Sequence, residues 1–195
     1  MTFYNRNMRY FILVLLLFSL LFNACAETEQ EQTQQQQYEA QLQQQVIETT
    51  ESFRSEVAGV LDDYFELKNV FVESDAEAAE NSTQSLADRT RNVDVSSLNE
   101  ETAMIWASFA DVIISKADQL VEHDDVDEQR IYFEDISETM IQIVDTFRPV
   151  GYDIYVQSCP MVRDDSAEWL SRNEEIRNPY HGDRMLNCGE VIRRI

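Results

Sequence analysis

The sequence is poor in chain breakers, with three prolines and four glycines. No proline and one glycine, Gly59, fall between Phe53 and Arg148. Long uninterrupted helices are therefore permitted there. Glycine-rich phosphate loops are absent, which excludes the common nucleotide-binding devices. With two histidines, no Cys-x-x-Cys and no His pair at ligand spacing, there is no zinc-site signature. Cations are also scarce, and the formal net charge is −22. Such a surface repels nucleic acid and anionic headgroups, so no nucleic-acid partner is expected. The longest apolar run, Phe11 to Phe22, covers twelve residues broken by Ser19. That is shorter than the about 20 residues a spanning helix needs.

What is present divides the chain into three parts. Residues 1–24 have a basic start with Arg6 and Arg9, a short apolar centre and the small residue Ala24, the layout of a secretory signal. Leu21-Phe22-Asn23-Ala24-Cys25 resembles the lipobox of bacterial lipoproteins. The resemblance implies cleavage before Cys25 and lipidation of its sulfur. It also implies a location in the bacterial cell envelope, lipid-anchored, facing the periplasm or exposed at the surface. The alternatives are an uncleaved anchor or a soluble secreted protein with a free Cys25. The lipoprotein reading is favoured, because a cysteine closing an apolar leader is otherwise hard to explain. Residues 25–50 read as a Gln-rich tether, too poor in apolar residues to bury a face.

Residues 51–195 read as a single domain. The expected fold class is mainly α: an antiparallel four-helix bundle with a small β-containing, loop-rich C-terminal cap. Val57, Val60, Leu61, Tyr64, Leu67 and Phe71 recur at steps of three and four, marking one buried helix face. Ser74-Asp75-Ala76-Glu77 has the form of a capping box opening a second helix, with Ala79, Thr83, Leu86 and Ala87 inward. Ser97-Leu98-Asn99-Glu100 has the same form before a third helix, with Ile105 or Trp106, Phe109, Ile113, Ala117 and Leu120 inward. A cluster of acids precedes a fourth, with Phe133, Ile136, Met140, Val144 and Phe147 inward. Residues 149–195 hold all three prolines and three of the four glycines. Tyr152 to Gln157 alternates and predicts a strand, with Glu190 to Arg193 as its pairing partner. Single helical turns are expected at Ala167 to Leu170 and at Asp183 to Cys188.

The same tail concentrates polarisable sulfur. Cys159-Pro160-Met161 and Met185-Leu186-Asn187-Cys188 each pair a cysteine with a methionine. Soft ligands of this kind suit Cu(I). Positions 159 and 161 would share a side on an extended backbone, and 185 and 188 a face on a helical turn. His181 is a candidate further ligand, and Trp169 could lie over a bound cation. The competing reading is a Cys159–Cys188 disulfide, since paired cysteines in an oxidising compartment usually bond. That bridge closes a loop of roughly 30 residues, worth about 3 to 4 kcal/mol on the chain-entropy estimate. Cys159 with His181 as nucleophile and base lacks an orienting third group, so the chain is read as not an enzyme.

Cys159-Pro160-Met161, Trp169-Leu170-Ser171, Ile176-Arg177-Asn178-Pro179-Tyr180, Gly182, Met185 and Cys188-Gly189 together resemble the C-terminal signature of a bacterial domain family of unknown function. Tyr64, Leu67-Lys68, Gln129-Arg130, Phe133 and Ser137 resemble its helical part. The family is known from Bacteroidetes-type lipoproteins and from C-terminal extensions of periplasmic adaptor (membrane-fusion) subunits of copper and silver efflux systems. Ser158 departs from its pattern, in which an aromatic residue or histidine often precedes the cysteine. The resemblance implies a heavy-metal context. The leading expectation is a non-enzymatic binding protein for Cu(I) or Ag(I) that sequesters the ion or hands it to an efflux adaptor. Its candidate ligands are Cys159, Met161, Met185, Cys188 and His181. The alternative is a structural or interaction lipoprotein with a disulfide staple.

Overall fold

The computed structural model describes residues 46–162 and 165–195. The leader, Cys25 and all but the last five residues of the expected tether lie outside the described residues. Those last five already dock, since the Ile47 amide donates to the Thr146 carbonyl at 2.8 Å.

Four helices follow: α1 (Glu51–Glu73), α2 (Ala76–Arg91), α3 (Glu100–Leu120) and α4 (Val126–Phe147). Each opens on a side-chain cap that accepts from a first-turn amide: Thr50, Asp75, Asn99 and Asp125. The expected capping boxes are thus displaced. Asp75 and Asn99 take the cap positions, because their carboxylate and amide oxygens outcompete the preceding serines. Ser74 instead ends α1 in the left-handed conformation, with φ 58°. Ser97 meets the Thr50 hydroxyl at 2.9 Å. Each helix packs on the next in sequence, and α4 also packs against β2.

The inward faces follow the three- and four-residue spacing. The six α1 positions from Val57 to Phe71 show no exposed surface. Ala79, Thr83, Leu86 and Ala87 are buried on α2, and the five expected α4 residues are buried. On α3 the inward residue is Trp106, while Ile105 and Phe109 are partly covered. Aromatic edges lock the interior. Phe53 meets Trp106 and Phe147 at centroid distances of 5.5 and 5.2 Å, and Phe71 meets Phe133 at 4.6 Å.

A three-stranded antiparallel sheet closes the chain: β1 (Tyr155–Val162), β2 (Asp165–Ser171) and β3 (Glu190–Arg194), in the order β2-β1-β3. The expected partnership of the first strand with residues 190–193 is present, with Gln157 opposite Val191 and Ser158 opposite Glu190. The helical turn expected at Ala167 to Leu170 is instead strand β2, with Trp169 opposite Gln157. Trp169 and Leu170 are both fully buried, so this strand lacks the two-residue alternation that would have marked it. The turn expected at 183–188 shrinks to a 3-10 turn, Gly182–Arg184.

Candidate functional site

Strand β1 carries Cys159 into the interior, where it has no exposed surface. Cys188 arrives from the other end of the tail, just before β3. Its amide donates to the Met185 carbonyl at 2.9 Å, and Asn178 Nδ2 donates to its carbonyl at 2.9 Å. Gly189 makes the approach possible. Its φ is +138°, and a Cβ there would sit 2.6 Å from the Ser158 carbonyl oxygen. The two sulfurs end 2.7 Å apart. That is closer than unbonded sulfurs rest and beyond the about 2.05 Å of a formed bond. The neighbouring Cys159 thiol, and then burial, push the Cys188 thiol up to about 11. The reduced Cys188 thiol therefore keeps its proton at neutral pH.

Met161 is 58% exposed, although Cys159 two residues earlier is fully buried. The β1–β2 register shifts between Cys159 and Val162, so positions 159 and 161 no longer share a side. His181 Nε2 donates to the Met161 carbonyl oxygen at 3.1 Å, which engages that ring nitrogen. Met185 lies one tight turn before Cys188 and is partly buried. Among the described residues, no group of three or more His, Cys, Asp or Glu is placed to hold a metal.

Trp169 is fully buried. Its indole Nε1 donates to Gln157 Oε1 at 2.8 Å, and its ring meets Tyr180 edge-on at 6.0 Å. The indole is a packing anchor between β1 and the loop that carries Cys188.

Three polar residues hold this region together and were not marked as functional by the sequence. Gln157, fully buried, accepts from Trp169 and donates from Nε2 to the carbonyls of Asn173, Glu174 and Glu175 at 2.8 to 3.3 Å. Asn178 accepts from the amides of Tyr180 and His181 while holding the Cys188 carbonyl. Arg130, 6% exposed at its side chain, donates from Nε to the Pro179 carbonyl at 2.7 Å. Its Nη2 donates to the Phe71 carbonyl and the Ser74 hydroxyl, both at 2.8 Å, and its Nη1 to Asp127 at 2.6 Å. The available signal for Arg130 was its place on the apolar stripe of α4, where a cation needs a reason to be buried.

No curated protein matches the chain, and no solved structure does. A family match begins within α1 and stops before β1, so Cys159 and Cys188 lie beyond its end. A domain of the family described as proteins of unknown function, DUF3347, is found at residues 60–150 of this chain.

Proposed function

We propose that this chain is a lipid-anchored, non-catalytic interaction module of the bacterial envelope, with Cys159 and Cys188 joined as a staple across its C-terminal cap. The observation that carries this reading is the 2.7 Å approach of the two sulfurs while Met161 faces outward. The leader supports it by placing the domain in an oxidising compartment, where facing cysteines bond. The staple fastens β1 to the segment entering β3. Below it, four helices on short links, with consecutive helices in contact, fit an antiparallel up-down bundle.

The full chain, isolated without reductant and alkylated after denaturation, is expected to show neither Cys159 nor Cys188 labelled. Peptide mapping is expected to recover the two as one linked pair. Labelling of both cysteines in that material removes the staple.

A second reading uses the same two atoms. Once reduced, two facing thiols form a soft two-sulfur grip for Cu(I) or Ag(I), available for transfer to an efflux adaptor. Because the reduced Cys188 thiol holds its proton at neutral pH, the ion must displace it, and apparent affinity rises with pH. Reduced protein should compete with a chromophoric chelator for one equivalent of Cu(I), and Cys159→Ser should abolish the competition. Met161→Leu should leave it intact, given that side chain's outward placement. Absence of competition by the reduced protein eliminates this reading.

A further inference from the structure

A cleft of about 400 Å³ opens between α1 and the segment at residues 171–177, and neither cysteine lines it. Its lining includes Lys68, a charged residue 6% exposed on the buried side of α1. The ammonium has one partner, Asn69 Oδ1 at 2.6 Å, and no carboxylate at ion-pair distance among the described residues. Arg177 lines the same cleft. Its side chain makes no hydrogen bond or ion pair among the described residues. Nearly every other arginine described is paired with an aspartate, so a bare one beside a buried lysine is conspicuous in so acidic a chain. The backbone of Arg177 is also fixed from both sides. Gln157 grips the carbonyls of residues 173–175, and the Asn178 amide donates to the Leu186 carbonyl at 2.8 Å.

We propose that this cleft binds a small oxyanion, a carboxylate or phosphate group on a free solute, with Lys68 and Arg177 as its recognition pair. Two like charges held together in a partly dry cleft repel each other, and an anion between them removes the repulsion. A guanidinium fork and an ammonium are the groups that suit carboxylate and phosphate oxygens. The Ser171 hydroxyl and Asn173 side chain add polar lining, and the volume suits a small molecule. Glu66, Glu73 and Glu175 stand around the same cleft. They repel an extended polyanion or an anionic membrane face, which is why the ligand assigned is a compact solute.

The ionisation of Lys68 supplies a readout. Burial, and then Arg177, lower it from 10.5 to about 8. Below that value the folded protein carries an ammonium that the unfolded chain hydrates better, and stability rises as pH climbs from about 8 toward 10.5. Anion binding runs the other way and weakens as the proton leaves. Glu66, Glu73 and Glu175 are the other charged groups that line the cleft beside Lys68 and Arg177.

Calorimetric titration of the full chain with inorganic phosphate and with succinate tests the assignment at pH 7.0 and 9.5. At least one probe is expected to bind one-to-one with a Kd below about 1 mM. Binding should weaken about tenfold or more in Arg177→Gln, in Lys68→Met, and at pH 9.5. Lys68→Met should also melt about 3 to 5 °C higher than the parent without probe, because it removes an unpaired buried charge and keeps its volume. The proposal is overturned if neither probe binds, or if both substitutions leave binding unchanged. It is equally overturned by a lower melting point for Lys68→Met, which makes the lysine structural. Tighter association with phosphatidylglycerol vesicles than with either solute would assign the cleft to a lipid surface and reject the free-solute claim.

Discussion

Replacing Arg130 with Met is expected to lower the stability of the folded domain by about 4 to 5 kcal/mol. The side chain is buried and places its N–H groups on four acceptors from three separate segments. One is the Phe71 carbonyl in the last turn of α1, which otherwise accepts only from the Ser74 amide that ends the helix, at 3.2 Å. Another is the Pro179 carbonyl in the C-terminal loop. A methionine fills most of the volume and replaces neither bond, so the Pro179 carbonyl loses its donor and the Phe71 carbonyl keeps only the Ser74 amide, at about 1 to 3 kcal/mol for each bond lost. The loss should read as a fall in melting temperature of roughly 10 °C or more. Arg130→Lys keeps the charge without the planar fork and should fall between the two. Asp127 adds a pH signature. Arg184, and then Arg130, hold its carboxyl below the usual aspartate range, against a burial effect that raises it. Its contribution is therefore full at neutral pH and fades as pH drops through that lowered value. The aspartate is half exposed and keeps Arg184, so this acid-side loss is small and should shrink further in Arg130→Met. A change within about 1 kcal/mol for Arg130→Met would mean that the clamp is dispensable and that the tail docks through packing alone.

The helices were legible because their signal is redundant. Val57 to Phe71 repeats the inward step six times, and no competing tertiary demand alters which face is buried. The caps were less legible by one or two residues, since Ser74, Asp75, Ser97 and Asn99 all suit a cap and only three-dimensional partners select among them. The tail was legible in content and not in geometry. That Cys159 and Cys188 belong together followed from there being no other cysteine in the folded part. That Met161 leaves the pair did not, because the register shift after Cys159 depends on how β2 pairs, not on the local sequence. Lys68 and Arg177 carry no local sign of a task. Their shared cleft joins residues more than a hundred positions apart, which no local spacing encodes.

Trp169→Ala is expected to cost about 4 to 5 kcal/mol, at the upper end for removing a large buried side chain. The indole has no exposed surface, and its far edge lies where Gly189 passes, with Cη2 3.0 Å from where a Cβ at that glycine would be. The surrounding walls are two sheet strands and a loop tied by Asn178, so they cannot collapse far into the space left behind. The second loss is polar. Gln157 Oε1 would be buried without its indole donor, and the amide would be free to turn. Turning would release the three carbonyls at residues 173–175 that Nε2 now holds. Trp169→Phe separates the two effects, because it keeps most of the ring and deletes the N–H, and it should cost about 1 to 3 kcal/mol. Both variants, followed by urea unfolding, should destabilise in the order Ala, then Phe. If Gln157 is the link between the core and the cleft, the Phe variant should also weaken anion binding at Arg177 while leaving the Cys159–Cys188 pair in place. Equal destabilisation by the two substitutions would show that the hydrogen bond, not the ring, governs this corner of the fold.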